Sequence, residues 1–96
     1  MRHYIIAKFK KEVSDEEKRQ MLPKIRELFE NTLNLEGITA VNVWGNCISR
    51  ENRFDVMIEI TMEESALPSY DACKWHHLWK EEYGPLLESK AIFDRA

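Results

Sequence analysis

A run of nine consecutive residues decides most of what this chain can become: Phe54, Val56, Ile58, Ile60 and Met62 alternate with Asp55, Met57, Glu59 and Thr61. Side chains that alternate at a period of two belong to a strand with one face buried and the other more polar. Such a strand needs partner strands and a second layer over its apolar face. The rest of the sequence supplies both.

Residues 3–10 read as another strand, with His3, Ile5, Ala7 and Phe9 on one face and Tyr4, Ile6 and Lys8 on the other. Both faces are substantially apolar, so both are expected to be covered. Val13-Ser14-Asp15-Glu16-Glu17 opens a helix. Ser14 can cap the free amides, Glu17 completes a capping box, and the acidic first turn suits the positive end of the helix dipole. Met21, Leu22, Ile25, Leu28, Phe29 and Leu33 follow at helical spacing as one buried stripe. Pro23 lies inside that run, removes one backbone bond, and is expected to kink or divide the helix. Gly37 is a reasonable stop.

Residues 38–46 read as a second strand ending at Trp44-Gly45-Asn46, and Ser49-Arg50-Glu51-Asn52-Arg53 as a connector. From Glu63 to Tyr83 the pattern turns helical, with Pro68 near the start of one short helix and Gly84-Pro85 closing the next. Residues 88–94 form a last strand. The order strand, helix, strand, strand, helices, strand implies an α+β chain: a ferredoxin-like four-stranded antiparallel sheet with helices on one face.

A chain of 96 residues is one domain's worth, spanning 1–96. At that size folding hides only roughly 60–65% of the unfolded surface. The second sheet face would carry Tyr4, Ile6 and Met57 among Lys8, Asp55, Glu59 and Thr61, an apolar centre with a charged rim. A homodimer through that open face is the natural solution, since stable interfaces bury roughly 800 Å² per partner. Asp55 and Glu59 then read as interface rim.

The net charge of −3 argues against a nucleic-acid partner. No stretch approaches the roughly 20 apolar residues of a membrane span, and the apolar part of the N-terminus is too short for a signal peptide. Cytoplasmic residence is the expectation, with Cys47 and Cys73 as free thiols. Neither a metal-ligand grouping nor a phosphate loop or nucleophile elbow is present, so no metal or cofactor is expected.

Met1-Arg2-His3-Tyr4-Ile5-Ile6-Ala7-Lys8-Phe9-Lys10, Val13-Ser14-Asp15-Glu16-Glu17, Tyr70-Asp71-Ala72-Cys73-Lys74-Trp75-His76, Gly84-Pro85-Leu86-Leu87 and Ile92-Phe93-Asp94 together resemble the stress-responsive A/B barrel domain family. The resemblance covers nearly the whole chain. It implies a ferredoxin-like protomer whose sheets pair into a dimeric α+β barrel. Enzymes of the family, such as the plant polyketide cyclase that closes olivetolic acid, use histidines and a tyrosine in a pocket between sheet and helices. By that likeness the catalytic histidine falls on His76, the tyrosine on Tyr70 and a first-strand histidine on His3. Cys73 stands where the family's His-Pro-Ala-His segment begins, Lys74 and Trp75 replace its small linker, and a further pocket histidine falls on Val56.

An imidazole titrates near neutrality and can act as general acid or base. A tyrosine can hold a developing enolate oxygen. In one continuous helix Tyr70 and His76 diverge by about 120°, whereas Tyr70 and His77 share a face. Tyr70 and His76 converge only if the helix breaks near Cys73-Lys74. Trp75, Trp79 and Tyr83, spaced by four, read first as packing on the sheet and second as one wall of an apolar pocket. Met21, Leu22 and Ile25 would form the opposite wall, Val56 and Ile58 the floor, and Leu87 would lie beside Trp79.

These readings describe a small homodimeric barrel protein with a modest pocket for a small hydrophobic molecule. Its alternatives are a cofactor-free cyclase-like enzyme using His76, Tyr70 and His3, and a cofactor-free monooxygenase of the antibiotic-biosynthesis type.

Overall fold

The computed structural model describes residues 1–96 and places four strands in one antiparallel sheet. In chain order they are β1 (Arg2–Phe9), β2 (Ile38–Gly45), β3 (Val56–Met62) and β4 (Leu87–Arg95). Spatially they run β2-β3-β1-β4, the ferredoxin-like arrangement that the element order implied. The register pairs Ile5 with Ile58 and Ala7 with Val56. His3, Ile5, Ala7 and Phe9 are therefore buried on the same side as Val56, Ile58, Ile60 and Met62. That shared side forms the core against the helices.

The first connection is one helix, α1 (Asp15–Glu30), and its start follows the sequence closely. The Glu17 amide donates to Ser14 Oγ at 3.1 Å, and the Ser14 amide donates to Glu17 Oε1 at 3.2 Å. Pro23 neither divides the helix nor ends it. It lies on an exposed turn, as does Arg19, whose carbonyl would have accepted the missing bond. Water can satisfy that carbonyl, so the run continues. Ile25 and Phe29 are each 1% exposed, and burying such side chains contributes about 1.5–3 kcal/mol apiece.

The buried stripe ends sooner than its spacing suggested. A 3₁₀ turn, Asn31–Asn34, tightens the winding after Glu30. Leu33 thereby rotates out to solvent and Thr32 rotates in, where its hydroxyl donates to the Phe29 carbonyl at 2.6 Å. Gly37 then turns the chain at φ +87°, and a Cβ there would lie 3.0 Å from Ala66 Cβ. Both facts restrict the position to glycine.

Asp55 also departs from its expected place. β3 begins at Val56, two residues after the expected Phe54, and the Asp55 carboxylate turns to the helix side of the sheet rather than joining Glu59. There it accepts from the Phe9 amide at 2.8 Å and from Lys18 Nζ at 3.1 Å. The amide at the end of β1 needs an acceptor, and Asp55 supplies it.

The second connection is broken into short pieces: a 3₁₀ turn (Glu64–Ala66), α2 (Leu67–Ala72), α3 (Lys74–Leu78), a π turn (Trp79–Tyr83) and a 3₁₀ turn (Gly84–Leu86). Trp79 and Tyr83 still pack inward, with ring centroids 5.5 Å apart. No helix is long and apolar enough to cross a membrane.

The other sheet face has no covering layer within the chain. Trp44 and Phe93 stand 47% and 61% exposed, and the register sets them beside Met57 and Tyr4. Glu59 sits among them, accepting from the Tyr4 hydroxyl at 2.6 Å and from Asn42 at 3.1 Å.

Candidate functional site

The break at Cys73 is the feature that assembles the site. Cys73 is extended, with φ −72° and ψ 156°, and serves as both C-cap of α2 and N-cap of α3. Its amide donates to the Tyr70 carbonyl at 3.1 Å, and its sulfur accepts from the His76 amide at 3.4 Å. One extended residue cancels the angular divergence that a continuous helix would impose. Tyr70 and His76 meet, with ring centroids 4.9 Å apart.

His3 closes the cluster from the sheet. Its ring lies edge-on to Tyr70 at 5.3 Å. The pairing of β1 with β4 sets His3 opposite Asp94, and His3 Nδ1 hydrogen-bonds Asp94 Oδ1 at 2.5 Å. The three residues singled out from the sequence, His3, Tyr70 and His76, therefore come together. Asp94 joins them although the sequence reading had given it no role. Its place in the Ile92-Phe93-Asp94 segment of the resemblance is the only sign of it in the sequence, and the strand register supplies its partner.

His76 Nδ1 lies 2.9 Å from the Asp71 carbonyl. A carbonyl only accepts, so Nδ1 carries the hydrogen and Nε2 keeps a lone pair. Burial holds the His76 imidazole below the usual histidine range, and the charge of Lys80 adds to this while the Asp71 carbonyl opposes it. A neutral ring with a free Nε2 is a competent base at neutral pH.

Tyr70 is completely buried, and burial pushes its phenol well above the ordinary range. It stays protonated at any working pH. No protein group pairs with its hydroxyl, an arrangement that costs about 1–3 kcal/mol and is uncommon in folded proteins.

A groove of about 280 Å³ runs between β4 and the broken helices. His76, His3 and Asp94 line it together with Trp79, Ile5 and Ile92. Tyr70 lies one layer behind this lining. His77 is exposed, with its ring 6.4 Å from that of His76.

The apolar pocket expected from the sequence does not form as one cavity. Leu22, Ile25 and Val56 line a separate depression of about 270 Å³ at the start of α1. Ile58 is fully buried in the sheet core. Trp79 and Leu87 border a depression along β4. The reason lies in the core: Phe29 packs edge-on to Trp79 at 5.2 Å and fills the space between the two sides. Both thiols are free, with Cys73 buried and Cys47 exposed beside Leu22 in the α1 depression.

The sequence profile described as Stress Responsive A/B Barrel Domain matches residues 1–96. A protein of Arabidopsis thaliana shares the fold at 23% identity, with 99% of this chain and 92% of that one covered and a TM-score of 0.73. A dimeric ferredoxin-like protein of unknown function from Bacteroides fragilis superposes at 18% identity, 98% and 92% coverage and a TM-score of 0.80. The hydroxynitrile lyase of Passiflora edulis superposes at 12% identity, 96% and 87% coverage and a TM-score of 0.70. No curated protein matches the chain.

Proposed function

Because this chain belongs to the stress responsive A/B barrel domain family, we propose that it works as a homodimer whose protomers each use His76 as a base toward small carbonyl compounds. The observation that carries this reading is that His76 and His3 both pack against the ring of Tyr70, whose buried hydroxyl is left unpaired. Core packing alone gives no reason to keep a phenol there.

The dimer follows from the open sheet face. Trp44, Phe93, Met57 and Ile6 are too large an apolar surface for a chain this small to leave in water. A second copy seated on it removes that surface. The Bacteroides fragilis relative is dimeric, which supports the same solution here. The groove with His76 opens on the helix side, so pairing through the other face leaves it accessible.

Proton abstraction is the chemistry these side chains supply. His76 Nε2 takes a proton from the carbon beside a carbonyl, the C–H electron pair forms the new C=C bond, and the carbonyl oxygen becomes an enolate oxygen. The enolate carbon then attacks a second carbonyl, whose oxygen takes the proton held on His76 Nε2, as in an aldol-type ring closure, or it takes that proton back itself. Tyr70 supports the His76 ring from behind, and the His3–Asp94 pair is the second proton-handling group on the wall. The structural neighbour from Passiflora edulis is a hydroxynitrile lyase, which is compatible with an enzyme on this fold.

The test is solvent deuterium incorporation beside the carbonyl of a panel of aryl ketones, with and without an acidic group, followed by proton NMR. The protein should accelerate exchange for part of the panel, and His76→Gln, folded by circular dichroism, should reduce it by about 10²-fold or more. Exchange at equal rates for both proteins would overturn the reading.

A further inference from the structure

We propose that Lys80 and Lys90 anchor a carboxylate, so that the compound presented to His76 is a small keto acid rather than a neutral ketone. The inference rests on the reading of His76 given above and adds the substrate class.

Two depressions lie on the helix side of β4, of about 280 and 320 Å³, and Trp79, Lys80 and Lys90 border both. They form one trough, with His76 toward one end and Leu87 toward the other. Lys90 pairs with the buried Ala7 in the β1–β4 ladder, so it rises from the sheet wall on the helix side. Lys80 comes from the π turn opposite. The two lysines therefore enter the trough from different walls, Lys90 from β4 and Lys80 from the π turn.

Neither lysine takes part in an ion pair. Both line the same two depressions, the first of which also holds His76. The carboxylates on the wall are Asp94, already engaged by His3, and Asp71, beside His76. Neither neutralises the lysines by direct contact. The floor is apolar, formed by Trp79, Leu87 and Ile92. A carboxylate between the lysines, an aryl or alkyl body on Trp79 and a carbonyl at His76 fit this sequence of surfaces.

Calorimetric titration with benzoylpropionate and with its methyl ester tests the assignment on the whole protein at low salt. The acid should bind roughly tenfold more tightly than the ester, and the preference should fade as salt screens it. Lys80→Met and Lys90→Met should each weaken the acid about three- to fivefold and leave the ester unchanged. His76→Gln should keep the preference. Equal binding of acid and ester, an unchanged preference in both methionine variants, or no binding of either at millimolar concentration would overturn the proposal. Exchange activity without acid preference would remove this inference and spare the base role of His76. Acid preference without exchange would do the reverse.

Discussion

The two helical connections cross the same sheet with opposite local structure. The first is one helix of 16 residues with a capping box. The second divides residues 64–86 among five short pieces, and its longest regular helix has six residues. Both cover the sheet and both deliver a large aromatic ring to the core, Phe29 from the first and Trp79 from the second. Regular helix is sufficient for covering a sheet. The broken connection does something further: it turns His76 back over Tyr70 and opens a groove beside β4. Irregular backbone marks the half of the molecule where side chains are aimed rather than merely packed.

The largest expected effect treats the halves alike. Phe29→Ala and Trp79→Ala should each lower stability by about 3–5 kcal/mol in chemical denaturation. Because the rings touch, the double variant should lose less than the sum, by about 0.5–1.5 kcal/mol. Strict additivity would mean that the halves are packed independently.

Tyr70→Phe separates them. Tyr70→Ala, which also removes the ring behind His76, should slow any exchange catalysed there, whereas removing only the unpaired buried hydroxyl in Tyr70→Phe should raise stability by about 1 kcal/mol. A loss of stability would show that the hydroxyl has a structural partner, and the functional argument would fall with it.

The two caps make a finer contrast. Ser14→Ala should lower stability by about 1 kcal/mol and leave the His76 titration unchanged. Cys73→Ala removes a weaker sulfur acceptor, so its effect on stability should be the smaller. It should nevertheless move the His76 midpoint up toward the ordinary histidine value, because the ring loses its fixed, partly buried seat. Cys73→Ser, which keeps an N-cap acceptor, should hold the midpoint down.

The smallest effect is on pH dependence. The folded-state midpoint of His76 lies below the unfolded value, so the unfolded chain binds more protons in between. The contribution is fully present above about pH 6.5 and is lost as pH falls from there through the folded midpoint. His76→Gln should remove that loss from the acid side of the stability profile, measured by denaturation at a series of pH values.

Much of this was legible in the chain because it is local. The Ser14–Glu17 capping box, the alternation of β3 and the inward stripe of Trp79 and Tyr83 depend on residues a few positions apart. The convergence of Tyr70 with His76 was legible only as a condition, that the helix break near Cys73, and that residue meets it. Pro23 misled because solvent exposure on its own turn offsets the lost bond. Leu33 misled because a 3₁₀ turn follows Glu30. The single apolar pocket misled because Phe29 and Trp79 meet and fill its centre. The two lysines were not legible as site residues at all, and Asp94 was legible only as part of the Ile92-Phe93-Asp94 segment, without its partner His3. Their neighbours are fixed by the β1–β4 register and by the π turn, which join residues far apart in sequence.

The measurement that bears most directly on this account is the titration of the His76 imidazole by NMR, assigned with His76→Gln, with and without benzoylpropionate. The midpoint should lie below that of a free histidine, and the resonance should move when the keto acid is added. A midpoint at or above the free value, indifferent to the ligand, would contradict it and leave His76 as an ordinary surface residue on a broken helix.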